Sequence, residues 1–415
     1  MKILFLNAYF YPENIAFSHI EQDIIEELIN GGNEVTVICP TPTRGVSREE
    51  AAKWKKQKLQ TVNGVHIHRF WAPREGNNPF IRAFRYFWCH FRENIIAKRY
   101  RGTDVVFAVS TPPTQGYYAG KAAKKLGAAF VYSIQDVFPD SLVTTGMTTE
   151  KSLLYKIGMR IEKKTHAKCS KIIVLSETVK KNLIVKGVPE SRLEKINDWI
   201  DTDAVNIIPK EENRLFEEFG ISRNRFTVVY AGNLGASQGA DVILRAAELL
   251  KEQKEAQFII FGGGSEFDRE KHYAEEHGLE NVIINPLLPR ERVPEVYSMG
   301  SVALICCKKG VGKAAMPSKL WSIMACETPI IASFDTDSEL ADILKETGAG
   351  VCVEPQNPEA LAAAINEQFE TLGTRGRQAK PGARDYVIKH ASKTRCAKLY
   401  RECIEQAAAE QKDKK

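Results

Sequence analysis

The chain has 415 residues, 43% of them hydrophobic, and a formal net charge of +6, enough for two domains with cores of their own and too much for one simple domain. The charge is spread along the chain with no basic tail, zinc-finger or RNA-binding signature, which argues against nucleic acid and favours a phosphorylated substrate or an anionic membrane surface. No window reaches the roughly 18 apolar residues of a membrane span, and the nine cysteines, scattered among apolar neighbours without a CxxC pair, read as small buried hydrophobes in a reducing compartment.

The opening MKILFLNAYFYP carries one lysine and a short apolar run that ends in polar residues, so it reads as a first strand rather than a signal peptide. The expected location is cytoplasmic, or peripheral on the inner face of the cell membrane. Apolar runs predict further strands at 35–39, 65–70, 104–109, 130–133 and 172–175, with 40–64 as a polar loop. Helical spacing covers 20–28, 115–126, 153–168 and 177–186, the first ended by Gly31 and Gly32. Such alternation is that of a parallel, doubly wound sheet.

One helix, in 78–101 (NPFIRAFRYFWCHFRENIIAKRYR), stands apart. Phe80, Phe84, Phe87, Trp88, Phe91 and Ile95 share a face, flanked by Arg82, Arg85, Arg92, Lys98 and Arg99. Core packing and a membrane surface both account for the apolar stripe. The density of arginine favours the membrane.

The polar stretch 197–224 marks a domain boundary, after which strands recur at 227–231, 258–261, 282–284, 302–305, 330–332 and 351–353. A last helix near 391–409 is placed to return over the first domain. The expected organisation is α/β: a Rossmann-like domain (1–200), a second Rossmann-like domain (201–390) facing it across a cleft, and a helical tail (391–415). Ligands of such sheets bind at the carboxyl ends of the strands.

The stretch KKGVGKAAMPSKLWSIMACETPIIAS (308–333) reads as a basic glycine loop, a helix opening at Pro317-Ser318 and running to about Cys326, and a strand. Unpaired N–H groups at the helix start, with Lys308, Lys309, Lys313 and Lys319 around them, suit a doubly charged phosphate group. A solvated lysine loop is the other reading.

VVYAGNLGASQGADVILRAAELL, FIIFGGGSE, INPLLPRERVPEVYSMGSVALI and MPSKLWSIMACETPIIAS, in this order, resemble the donor-binding domain of a family 4 glycosyltransferase with the GT-B fold. The opening stretch together with STPPTQGYYAG and FVYSIQDVFPDS resembles the branch that builds bacterial surface polysaccharides (capsule, O-antigen or exopolysaccharide) on a polyprenyl carrier. The resemblance implies a retaining transferase that moves a sugar, an N-acetylated aminosugar among the candidates, from a UDP-linked donor to a polyprenyl-diphosphate-linked saccharide. It implies no metal and no other cofactor. Gly232, Asn233, Gln238, Gly263, Gly264, Lys308, Met316, Pro317, Ser318 and Ser322 would bind the donor, with Lys313 and Lys319 stabilising the departing diphosphate. The family often carries an arginine and a lysine where Asn233 and Gln238 stand, and a pair of carboxylates where Ala314 and Ser322 stand, so two cations and the acidic ribose grip are missing. Asp136, just after a strand end, would orient acceptor or sugar, or cap a turn; His19 is a second acceptor-side candidate, or a solvated residue at a helix start. Arg82, Phe84, Arg85 and Trp88 would touch acceptor or membrane.

The G-x-G-x-x-G spacing of a dinucleotide site is absent, against NAD. Asp201-Thr202-Asp203 and Asp335-Thr336-Asp337 match a D-x-D metal pattern, but such short matches are cheap, and the second leads into a helix whose dipole favours acidic residues. A UDP-sugar epimerase on the same scaffold and a non-catalytic partner in a polysaccharide assembly complex remain the alternatives. The sequence leaves the oligomeric state open.

Overall fold

In the computed structural model, residues 1–13, 17–75, 78–144, 146–312, 316–373 and 382–413 are described. The strands are β1 (Lys2–Leu6), β2 (Glu34–Pro40), β3 (Leu59–Val62), β4 (Val65–Phe70), β5 (Val105–Val109), β6 (Ala129–Ile134), β7 (Lys171–Val174), β8 (Leu193–Lys195), β9 (Phe226–Asn233), β10 (Ala256–Gly263), β11 (Val282–Pro286), β12 (Val302–Cys306), β13 (Ile330–Ser333) and β14 (Gly350–Val353). The helices are α1 (Ser18–Asn30), α2 (Arg48–Lys56), α3 (Pro79–Ala97), α4 (Gln115–Leu126), α5 (Asp140–Thr144), α6 (Leu153–His166), α7 (Glu177–Val185), α8 (Leu215–Glu218), α9 (Asp241–Leu249), α10 (Phe267–Glu276), α11 (Val293–Ser298), α12 (Lys319–Ala325), α13 (Glu339–Thr347), α14 (Pro358–Leu372), α15 (Ala383–His390) and α16 (Lys393–Lys412).

The chain divides into two units, Met1–Asp198 with Cys396–Lys415, and Trp199–Arg395. The first holds a sheet in the order β3-β4-β2-β1-β5-β6-β7-β8, parallel throughout except that β3 runs antiparallel to β4. The second holds a six-stranded parallel sheet, β11-β10-β9-β12-β13-β14. Central strands are apolar on both faces because helices cover both: β5 (VVFAV), β6 (AFVYSI) and β12 (VALIC) are buried at every position. In each sheet the strand order reverses beside the first strand of its unit, β1 or β9, the place where the carboxyl ends open a ligand crevice.

The stretch 40–64, expected to be a loop, holds α2 and β3. The helix REEAAKWKK lacks an apolar stripe, so hydrophobic spacing does not reveal it; it is fixed by a capping box in which Ser47 accepts from the Glu50 N–H and Glu50 from the Ser47 N–H. The tail helix α16 packs within the first unit. The Tyr400 hydroxyl lies 3.0 Å from Ser133 Oγ at the end of β6, Arg401 Nε donates to Glu27 at 2.9 Å, and Lys412 pairs with Asp104 at 3.2 Å. No described helix is long and apolar enough to cross a membrane.

Candidate donor and acceptor sites

In the second unit the loops after β9, β10, β12 and β13 meet at the carboxyl edge. The backbone turns sharply at Gly232 (φ +146°), where an added Cβ would lie 2.6 Å from Lys319 Nζ; only glycine lets the main chain come this close to the amine. Lys319 opens α12, and its Nζ sits 3.9 Å from the centroid of the Tyr230 ring, a cation–π contact. The residue as a whole is only half-buried, yet its amine is enclosed, and that burial lowers its pKa to about 8. Enclosed, with a ring face rather than a carboxylate beside it, the amine is suited to receive an anion.

The other predicted donor residues frame this point. Asn233 Nδ2 donates to Gln238 Oε1 at 3.1 Å, so the two residues that replace the expected cations brace each other. Gly264, at φ +132°, lies so close that a Cβ would meet Asn233 Oδ1 and come within 2.8 Å of the Leu234 carbonyl. Gly263 is roomier and contributes its carbonyl, which accepts from the Leu234 N–H at 2.7 Å. The Lys308 N–H donates to the Ser237 carbonyl at 3.0 Å, stitching the loop after β12 to the loop after β9 while its side chain stays exposed. Met316 packs against the core, the Pro317 carbonyl accepts from the Leu320 N–H at 3.0 Å, Ser318 is the exposed N-cap of α12 with no side-chain cap bond, and Ser322 is half-buried on that helix. Lys313 and Ala314 lie outside the described residues.

Two residues that the sequence does not assign to the donor site complete this edge. Tyr230 supplies the ring beneath the amine, and its hydroxyl donates to the Asn233 carbonyl at 2.9 Å. Asp335 is buried, with its carboxylate accepting from the Gly310 N–H at 2.9 and 3.0 Å and from the Gly312 N–H at 2.9 Å. It therefore clamps the glycine loop. The signal was present as an acidic residue two positions beyond a strand end, beside a Gly-x-Gly loop, though it resembled half a metal motif. Asp201 is engaged in the same way, by the N–H groups of Asp203 and Ala204 at 3.0 and 3.1 Å.

The first unit has its own carboxyl edge. Asp136 follows β6, and Ser110 Oγ, in the loop after β5, accepts from the Gln135 and Asp136 N–H groups at 2.9 and 3.3 Å. The Asp136 side chain is exposed, while the protein packed round it raises its pKa; it borders a small cavity with Glu162 and His166. Burial lifts Glu162 to about 7 despite Lys186 at 2.9 Å, and lowers His166 to about 4. His19 is half-buried in the first turn of α1. Behind it Asn7 donates to the buried Glu21 at 2.7 Å, whose pKa burial lifts to about 8.

On α3, Phe84 is exposed, Arg82 lies 3.6 Å from Glu75, and Trp88 donates through its indole N–H to the Trp71 carbonyl at 2.8 Å. Arg85 is not a surface residue. It is wholly buried, donating to the Pro73 carbonyl at 2.7 Å with its guanidinium 5.7 Å from the centroid of the Tyr9 ring. A long stem and a fork that can bond main-chain carbonyls make burial tolerable, so it props the 71–75 segment instead of meeting a membrane.

Two doubly wound sheets, parallel except at β3, each with polar groups at its carboxyl edge and one with an amine enclosed under glycine turns, are those of the GT-B fold, and the family models set the class within it: a glycosyltransferase. Residues 211–384 match the model of Glycosyl transferases group 1 and residues 22–204 that of Glycosyltransferase Family 4; between them these take in most of the chain, which belongs to that family. An Escherichia coli K12 protein named for colanic acid biosynthesis, the glycosyl transferase WcaI, is 24% identical over 88% of this chain and 92% of its own. The glycosyltransferase WbjE of Pseudomonas aeruginosa is 27% identical over 66% and 68%. Among solved structures, sucrose-phosphate synthase of Thermosynechococcus elongatus superposes with a TM-score of 0.75 at 15% identity, covering 98% of this chain and 99% of that one. Anabaena HepE in complex with UDP gives 0.72 at 14%, covering 98% and 100%.

Proposed function

We propose that this glycosyltransferase moves a sugar from a UDP-linked donor to a polyprenyl-diphosphate-linked saccharide during bacterial surface-polysaccharide synthesis, with retention at the anomeric carbon. The observation that carries the reading is the Lys319 amine, enclosed beneath the Gly232 turn and against Tyr230. A protonated amine there can balance the charge that builds on a departing nucleoside diphosphate, where low polarity makes it count for most. The exposed lysine on the loop above, Lys308, adds to the same positive field.

Support for UDP comes from the HepE complexes with UDP and with UDP-glucose, and support for polysaccharide synthesis from the colanic acid assignment of WcaI. Ser322 is available to hydrogen-bond a ribose hydroxyl in place of a carboxylate. In the first unit Asp136 and His19 would orient the acceptor.

The test is to offer the full chain a panel of UDP-sugars, with and without polyprenyl-diphosphate-linked saccharides, and to follow both UDP release and the mass of the lipid product. The expected outcome is UDP release that depends on the lipid acceptor and a product heavier by one sugar. Interconversion of UDP-sugars without acceptor, or failure to bind any nucleotide sugar, would overturn it.

A further inference from the structure

The helix α3 seats Cys89, Ile96 and Ala97 in the core of its unit, yet its buried face is half polar and its exposed face is aromatic. The residues it buries include Arg85, His90 and Glu93, each at most 1% exposed. Those it turns outward include Phe80 (83% exposed), Phe84 (60%), Phe87 (66%) and Phe91 (55%). The helix α6 repeats the pattern with Leu153, Leu154 and Ile157 exposed at 71, 54 and 42%. Between α3 and α6 lies a groove of about 550 Å³ whose apolar walls include Phe87, Tyr117, Tyr118, Ile157 and Ile161, within the usual size of a small-molecule site of ~300–1,000 Å³.

The groove is not wholly apolar. Arg160 and Lys164 line it, and the amines of Lys121 and Lys168 lie 4.4 and 4.7 Å from the Tyr117 ring centroid. Among the described residues none of these four cations is paired with a carboxylate; the nearest acidic residue on α6, Glu162, is instead held by Lys186. The lining also includes His90 and Thr114, whose Nε2 and Oγ1 are 2.8 Å apart. Thr114 belongs to the loop after β5, so one side of the groove adjoins the carboxyl edge of the sheet.

We propose that this groove holds the isoprenoid chain of the acceptor lipid, with Arg160, Lys164, Lys121 and Lys168 receiving its diphosphate. This rests on the lipid-linked acceptor of the proposed function and gives that acceptor a place. Aromatic and branched walls gain by covering hydrocarbon, and unpaired cations at the rim call for an anion rather than for more hydrocarbon. A second copy of the chain fits less well, since a two-fold contact of this face with itself would bring its unpaired cations against their own kind.

Farnesyl diphosphate, farnesol and inorganic pyrophosphate are titrated calorimetrically into the full chain, into Ile157→Trp, which fills the groove, and into Arg160→Ala/Lys164→Ala, with UDP titrated in parallel as a check on folding. Farnesyl diphosphate should bind the wild type, and each variant should weaken it by at least about tenfold. The double variant should spare farnesol, pyrophosphate alone should bind far more weakly, and UDP affinity should hold throughout. Equal binding of farnesyl diphosphate to wild type and Ile157→Trp, equal affinity for pyrophosphate, or a dimer that Phe87→Ser dissociates would overturn the proposal. If the groove variants have no effect while the wild type still transfers sugar to a lipid-linked acceptor, the groove assignment fails and the proposed function stands. If the wild type binds farnesyl diphosphate in the groove but transfers nothing to lipid, the reverse holds.

Discussion

Lys319 is legible in the sequence as one of several lysines near a helix start; its singularity is not. What separates it from Lys308 is the Tyr230 ring at 3.9 Å and the Gly232 turn above it, contacts made between the start of α12 and strand β9, far apart in the chain. Because burial brings its pKa to about 8, a bound diphosphate should restore the proton. The sign follows: above pH 8 the free amine is increasingly neutral, UDP affinity falls, and binding takes up a proton. Calorimetry of UDP binding at pH 8.5 in two buffers of different ionisation enthalpy should therefore show proton uptake that vanishes at pH 6.5; none at either pH would remove the amine from the site. Asp335 acts on the same edge through the main chain. Asp335→Ala strands the N–H groups of Gly310 and Gly312 and should cost about 2–4 kcal/mol and weaken UDP binding, read by thermal unfolding with and without the nucleotide. An unchanged melting temperature would show that the loop does not need its clamp.

At the scale of elements, the continuous apolar strands and the helices with one apolar face were readable, because burial on both sides or on one side leaves that pattern directly. The helix α2 and strand β3 are not, since one is mostly charged, with only Ala51, Ala52 and Trp54 apolar, and held by a capping box, and the other is a short, half-exposed edge. The stripe on α3 is legible, but spacing alone does not say whether it faces core or solvent. The structure shows it outward, and shows that Arg85, counted with the outer charges, belongs to the inner side, four residues before Cys89 and eight before Glu93. If the aromatic face contributes nothing to the fold, Phe80→Ser with Phe84→Ser should change stability by no more than about 0.5 kcal/mol while lowering co-sedimentation with vesicles rich in anionic lipid. A large loss of stability would make it a core face after all.

For the molecule as a whole, the expectation of two doubly wound units comes from one rhythm of strands and helices that pauses near residue 200 and resumes, and the parallel order of both sheets, β3 excepted, follows from crossovers that carry helices. The return of the last helix to the first unit could be anticipated only from its position at the end of the chain. Its reason is tertiary: Tyr400 is fully buried against β6, and Arg401 and Lys412 find Glu27 and Asp104. The proposed function depends on the second unit gripping an activated sugar by its diphosphate, and Lys319→Ala tests that grip most directly. With the full chain at pH 7, the variant should bind UDP more weakly and turn over the cognate donor about 10²–10³-fold more slowly, with its melting temperature without nucleotide little changed. A variant that folds, binds UDP and transfers sugar as the wild type does would contradict it.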